Sequence, residues 1–235
     1  MAGRWRGEGG QHQGARPYQE DSWAVRTLGD GSVLAVVADG MGGHAGGAVA
    51  SKVAVEAFVH AIEQGGGLAD GLQEANAAVG RTAAGKSELA GMGATLVAAQ
   101  VRGDEVRWIS VGDSPFFLVS SGLIERLNAD HSMAPQLDAL VARGVISERE
   151  AAAHPARHTL REAVMGQPLT LIDEGRRSLP AGACLVLCSD GVETLANSDI
   201  AAWAAKSAEK LVGAVLAARD PHQDNVTVIK LERSK

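Results

Sequence analysis

Two short stretches of this 235-residue chain share one design. Val33-Leu34-Ala35-Val36-Val37-Ala38 runs straight into Asp39-Gly40, and Cys184-Leu185-Val186-Leu187-Cys188 runs, one Ser later, into Asp190-Gly191. A brief apolar run that ends in Asp-Gly reads as a buried strand that carries a carboxylate to its rim and then turns. Glu20, Asp21 and Asp224 stand in similar settings, beside other strand-like runs. Carboxylates gathered at one rim repel and raise each other's pKa, and bound divalent cations remove that cost. All-oxygen ligands select Mg²⁺ or Mn²⁺ over Zn²⁺. The chain has neither Cys-x-x-Cys nor His-Glu-x-x-His, so no zinc site is expected.

The elements around these acids can be read from periodicity. Residues 23–28 and 32–38 form two strands, and Gly29-Asp30-Gly31 between them is hairpin chemistry. Folding back near Asp30 puts Glu20 and Asp21 beside Asp39-Gly40. Residues 46–64 read as a helix with Val49, Val53, Ala57 and Ala61 on one stripe, and residues 68–84 as a second helix carrying Leu72, Ala75 and Val79. Three strands follow over 95–101, 105–111 and 116–120. From 133 to about 175 the strand signal fades. A short helix over 134–143 ends at Gly144, and Ser147-Glu148-Arg149-Glu150 is a capping box that opens another. Strand signal returns at 183–188. Residues 197–219 read as one amphipathic helix with Ile200, Trp203, Ala204, Leu211 and Val215 inward, and 225–231 as a closing strand. Asp224 therefore starts where a strand antiparallel to 183–188 would begin, at the same rim as Asp190. The order suggests antiparallel sheets covered by helices rather than alternating βαβ units.

Bulk composition is that of a globular protein, with 46% hydrophobic, 21% charged and only 3% aromatic residues, so Ala, Val, Leu and Ile must build the core. The length favours one large domain, 1–235. A net charge of −6 argues against general affinity for nucleic acid or an anionic membrane. No run reaches the roughly 18 apolar residues of a membrane helix, and the N-terminus lacks the apolar stretch of a secretion signal. The two cysteines, Cys184 and Cys188, would lie roughly 13 Å apart on a strand, too far for a disulfide. A cytoplasmic address is expected.

The ordered set of motifs resembles the metal-dependent protein serine/threonine phosphatases of the 2C type in their compact bacterial form. Arg16-Pro17-Tyr18-Gln19-Glu20-Asp21-Ser22 resembles the opening motif, and Asp39-Gly40-Met41-Gly42-Gly43-His44 the second. Gly93-Ala94-Thr95, Gly112-Asp113-Ser114, Asp130-His131, Ser189-Asp190-Gly191 and Asp224-Asn225 follow in family order. Each piece is weak alone, and the series spans nearly the whole chain. The resemblance implies an α+β fold: two stacked antiparallel β-sheets flanked by helices (an α-β-β-α sandwich), with a helical flap at about 133–175. It implies that Asp39 bridges two Mn²⁺ or Mg²⁺ ions, that Glu20, the Gly40 carbonyl, Asp190 and Asp224 complete their shells, and that Asp21 acts behind them. Arg16 would hold phosphate oxygens through its planar fork. Asp130 with Asp190 would hold a third, weaker metal ion, and His44 would protonate or orient the leaving group. Water acidified between two cations then attacks phosphorus in line, with no covalent intermediate. The implied partners are phosphorylated proteins, substrates of a serine/threonine kinase, and the chain is expected to act as a monomer.

Two positions depart from the family pattern. Gln19 stands where Asn is usual, and Pro115 where Arg commonly follows Gly-Asp-Ser. They motivate a second reading, a catalytically weak pseudophosphatase that binds phosphoproteins as a regulator, which the intact carboxylates oppose. A phosphatase of small metabolites is a third reading. Bland roles stay open for single residues: Asp130 as a partner of His131 or a turn amide, Asp113 as structural, His44 as a solvated loop residue, and His154 and His222 as surface or capping groups.

Overall fold

A computed structural model of the chain describes residues 4–42 and 45–234. Two five-stranded antiparallel sheets stack face to face. One has the order β10-β7-β6-β3-β2, formed by Asp173–Ser178 (β10), Glu105–Val111 (β7), Leu96–Arg102 (β6), Val33–Ala38 (β3) and Ser22–Thr27 (β2). The other has the order β1-β12-β11-β8-β9, formed by Trp5–His12, Val226–Arg233, Cys184–Cys188, Phe116–Ser120 and Leu123–Arg126. A two-stranded ribbon, β4 (Gly40–Met41) with β5 (Gly93–Ala94), sits at one end. Helices α1 (Ala45–Glu63) and α2 (Leu68–Ala83) cover the first sheet; α5 (Asn197–Ala204) and α6 (Ala208–Ala217) cover the second. The short helices α3 (Ala134–Ala142) and α4 (Glu148–Ala152) belong to the segment between β9 and β10. This is the expected α-β-β-α sandwich.

Burial on both faces explains the continuous apolar strands. In β3, Val33, Ala35 and Val37 face the other sheet, against Leu185, Leu187, Ile229 and Leu231. Leu34, Val36 and Ala38 face the helices, against Ala50, Ala54 and Phe58. Each fully buried Val or Leu contributes about 1.5–3 kcal/mol. A strand packed on both sides cannot slide by one residue, so the position of its terminal Asp39 is set by the core.

The structure corrects several local readings. Residues 197–219 form two helices, because Ser207 opens a new one: its hydroxyl accepts from the Lys210 N–H at 3.1 Å. The buried face of α1 is offset by one residue from the Val49–Val53 stripe, onto Ala50, Ala54 and Phe58, the last being the largest side chain available. Three strands carried too little signal to be read. β1 contains Gly7, Gly9 and Gly10, poor strand formers. Gly9 is required there, since a Cβ would lie 2.5 Å from the Trp23 ring. β9 has four residues, and β10 is a charged edge strand with one hydrogen-bonded neighbour. β10 begins at Asp173, at the end of the segment read as a helical insertion over about 133–175. Cys184 and Cys188 are free and buried, and burial pushes the Cys184 thiol up to about 12.

Candidate metal centre

Strand ends from both sheets meet at one rim and enclose a cavity of about 270 Å³. Its lining includes Arg16, Glu20, Asp39, Gly40, Asp190 and Asp224. Asp39 is held first by the backbone. Thr95 clamps it from both sides: the Thr95 N–H donates to the Asp39 carbonyl at 2.8 Å, and the Asp39 N–H donates to Thr95 Oγ1 at 3.0 Å. Ser114 Oγ lies 2.7 Å from the same hydroxyl. The Gly93-Ala94-Thr95 and Gly112-Asp113-Ser114 segments thus serve as supports for Asp39.

Asp190 opens a 3₁₀ turn (Asp190–Thr194) at the end of β11, and Asp224 precedes β12. Between them the Ser189 N–H donates to the Thr227 carbonyl. Glu20 arrives on the loop before β2, and Asn225 pins that loop. The Asn225 Oδ1 accepts from the Glu20 N–H at 2.7 Å, while its Nδ2 donates to the carbonyls of Gln13 and Tyr18 at 2.8 and 2.9 Å. Gly47 on α1 leaves room for the Glu20 carboxylate, since a Cβ there would lie 2.5 Å from Oε1.

Asp21 points the other way, as adjacent residues of an extended segment do. It does not line the cavity; its carboxylate accepts from Ser189 Oγ at 2.8 Å and Thr227 Oγ1 at 2.7 Å, behind Asp190. A direct metal-ligand role for Asp21 is not what this placement offers; it supports the strand ends behind the cavity. Asp130 also lies outside the cavity lining. It accepts from the Ser132 N–H at 2.7 Å, the turn-amide role left open above. Asp113, not Asp130, joins Glu20, Asp39, Asp190 and Asp224 in the cavity lining. The signal that found Asp39 and Asp190, an Asp just past a buried strand, applies to Asp113 after β7 as well. His158 and Leu160, from the flap, also line the cavity, and no sequence signal marked them. His44 lies outside the described residues.

The electrostatics fit cation binding. Burial is the first cause that pushes Asp39 well above the usual carboxylate range, and Asp21, Asp190 and Asp224 push it further. Asp190 is raised by burial and by Asp224, and Asp21 is raised to about 6 by burial. Buried oxygens without a protein partner remain at Asp190 Oδ1 and Asp21 Oδ1. Among the described residues no three acidic or imidazole side chains are already closed around one point. Arg16 instead reaches in, its Nη2 2.5 Å from Asp224 Oδ2. The donor set is all oxygen, and bound cations would relieve the mutual repulsion that raises Asp39 and Asp190, which suits hard divalent ions.

Residues 7–225 match the family model described as protein phosphatase 2C. The chain belongs to that family. It is 34% identical over 214 residues to the serine/threonine protein phosphatase PstP of Mycobacterium tuberculosis, covering 85% of this chain and 40% of that protein, so it spans well under half the length of this relative. It is 31% identical over 234 residues to the serine/threonine phosphatase stp of Listeria welshimeri, covering 93% and 92% of the two chains. The solved catalytic domain of PstP in complex with two manganese ions superposes with a TM-score of 0.79 at 26% identity, over 98% of this chain and 99% of that one. At the two departures, the buried Gln19 Nε2 has no hydrogen-bond partner among the described residues, while other atoms of both residues are paired. The Gln19 Oε1 accepts from the Asp21 N–H at 2.9 Å, and the Pro115 carbonyl accepts from Cys188 N–H at 3.0 Å.

Proposed function

We propose that this chain is a metal-dependent phosphatase that hydrolyses phosphoserine and phosphothreonine in proteins. One observation carries the reading: Asp39, Asp190, Asp224 and Glu20, spread over most of the sequence, line one cavity with Arg16 at its edge. Mn²⁺ or Mg²⁺ would be held by Asp39, Glu20, the Gly40 carbonyl, Asp190 and Asp224. Two such ions, when bound, supply Lewis acidity and water activated near neutral pH. The chain does the rest. Asp21, through Ser189 and Thr227, holds the floor behind Asp190. Arg16, released from Asp224, turns its fork to the phosphate oxygens. His158 lines the cavity from the segment between β9 and β10 and is placed to meet a phosphorylated side chain.

The proposed substrates are proteins phosphorylated by a serine/threonine kinase. The chain is proposed to act as a monomer. A cytoplasmic place agrees with two buried free thiols; among the described residues no helix is long and apolar enough to cross a membrane. The complete carboxylate set disfavours the pseudophosphatase reading. The test is turnover of a phosphothreonine peptide with Mn²⁺ against chelator. Turnover that survives chelation would reject the mechanism, and tight peptide binding without turnover at saturating Mn²⁺ would favour the non-catalytic alternative.

A further inference from the structure

The resemblance calls for a third metal ion at Asp130, and the residues around Asp130 do not fit one. A guanidinium is already there. Arg126 lies on β9, paired opposite Phe117 of β8, and its side chain reaches the turn that follows β7. Nη2 donates to the Asp113 carbonyl at 2.6 Å, and Nε reaches Asn128 Oδ1 at 3.4 Å. Nη1 lies 3.8 Å from Asp130 Oδ2 and 3.5 Å from Glu193 Oε1. The side chain is 24% exposed, so solvent screens these pairs only in part. Asn128 locks the arrangement, accepting from the Phe116 N–H at 2.8 Å and donating to the Ser114 carbonyl at 3.0 Å. Pro115 supplies no cation to this turn, where family members commonly carry Arg; Arg126 returns a guanidinium to it from the neighbouring strand.

We propose that Arg126 is a built-in counter-cation for Asp130 and Glu193, the acids beside the cavity, a positioning residue that takes the place of a third metal ion. It holds Asp130 and Glu193 in an ion-pair network and fixes the turn that carries Asp113, leaving Asp39, Glu20, Asp190 and Asp224 for two metal ions. The inference rests on the metal-dependent reading above.

Counting bound Mn²⁺ by equilibrium dialysis tests both separately. Wild type should hold two ions per chain. Arg126→Gln should hold three at the same free Mn²⁺, and its peptide turnover should climb through a second, weaker Mn²⁺ phase absent from wild type. Arg126→Lys should restore two ions and a single phase. Asp130→Asn keeps the turn acceptor and should leave the wild-type count at two. Three ions on wild type, falling to two in Asp130→Asn, would overturn the proposal even if Arg126→Gln does not fold. An unchanged count and a single phase in folded Arg126→Gln would overturn it too. No Mn²⁺ on wild type would overturn both this inference and the reading beneath it.

Discussion

The two walls of the cavity are built differently. The inner wall consists of Asp39, Asp190 and Asp224, each beside the end of a buried strand, two of them apolar throughout and the third, β12, buried over its first six residues. The outer wall, with Arg16 and His158, sits on connecting segments held by side-chain ties such as the Arg157–Asp138 ion pair at 2.8 Å. Core packing fixes the inner acids before any ligand arrives, because moving one would shift a whole strand. Arg16 pairs with Asp224, and in the proposed function it would turn from that partner to an incoming phosphate. Rigid acids with an adjustable cation suit a site that must hold its ions throughout while releasing product.

The largest expected effect comes from the inner wall. Asp39→Asn should lower kcat by about 10³-fold or more, since it removes several kcal/mol of charge stabilisation. Arg16→Lys should act mainly on KM and by a smaller factor, as a point charge replaces a fork. Equal losses in steady-state assays of the two variants would erase the distinction between the walls. Asn225→Ala probes the tie between them: it frees the loop that delivers Glu20 and should cost roughly 10–100-fold in Mn²⁺ affinity or activity, the range for groups that orient metal ligands. Retained Mn²⁺ affinity would show that the loop holds itself.

The smallest effect concerns the metal-free protein. Burial holds Asp21 at about 6 and Asp113 at about 7, both above the ordinary carboxylate value. Between pH 4 and 7 the folded chain therefore binds protons that the unfolded chain has released, and its stability falls as pH rises through that window. In EDTA, Tm should decline from pH 4.5 to 7, and Mn²⁺ should remove most of the decline at the upper end. A flat profile in EDTA would mean that these acids are not strained in the fold.

Much of this molecule was legible from local pattern. Strands 33–38 and 184–188 announce themselves because burial on both faces demands unbroken apolar runs, and Ser147 with Glu150 forms the capping box its spacing predicts. Silent elements were those whose reasons lie elsewhere in the chain. β1 is glycine-rich because Trp23 and Val25 crowd it from the other sheet, and β10 is charged because it is an edge. Among site residues, Asp113 carried a signal that its turn setting disguised. Asn225 entered only as the neighbour of Asp224 in a motif, with no role attached, and His158 carried no signal, being an ordinary loop imidazole.

Sequence alone determined which groups could do chemistry, since an Asp just beyond a buried strand must surface at the rim, and it determined that hard cations are their natural partners. Tertiary structure decided which acids share the cavity. Asp21 turns behind it through the alternation of an extended backbone, Asp113 enters it, and Asp130 is drawn to Arg126. Those assignments depend on directions of side chains brought together from different strands, which spacing along one chain does not encode.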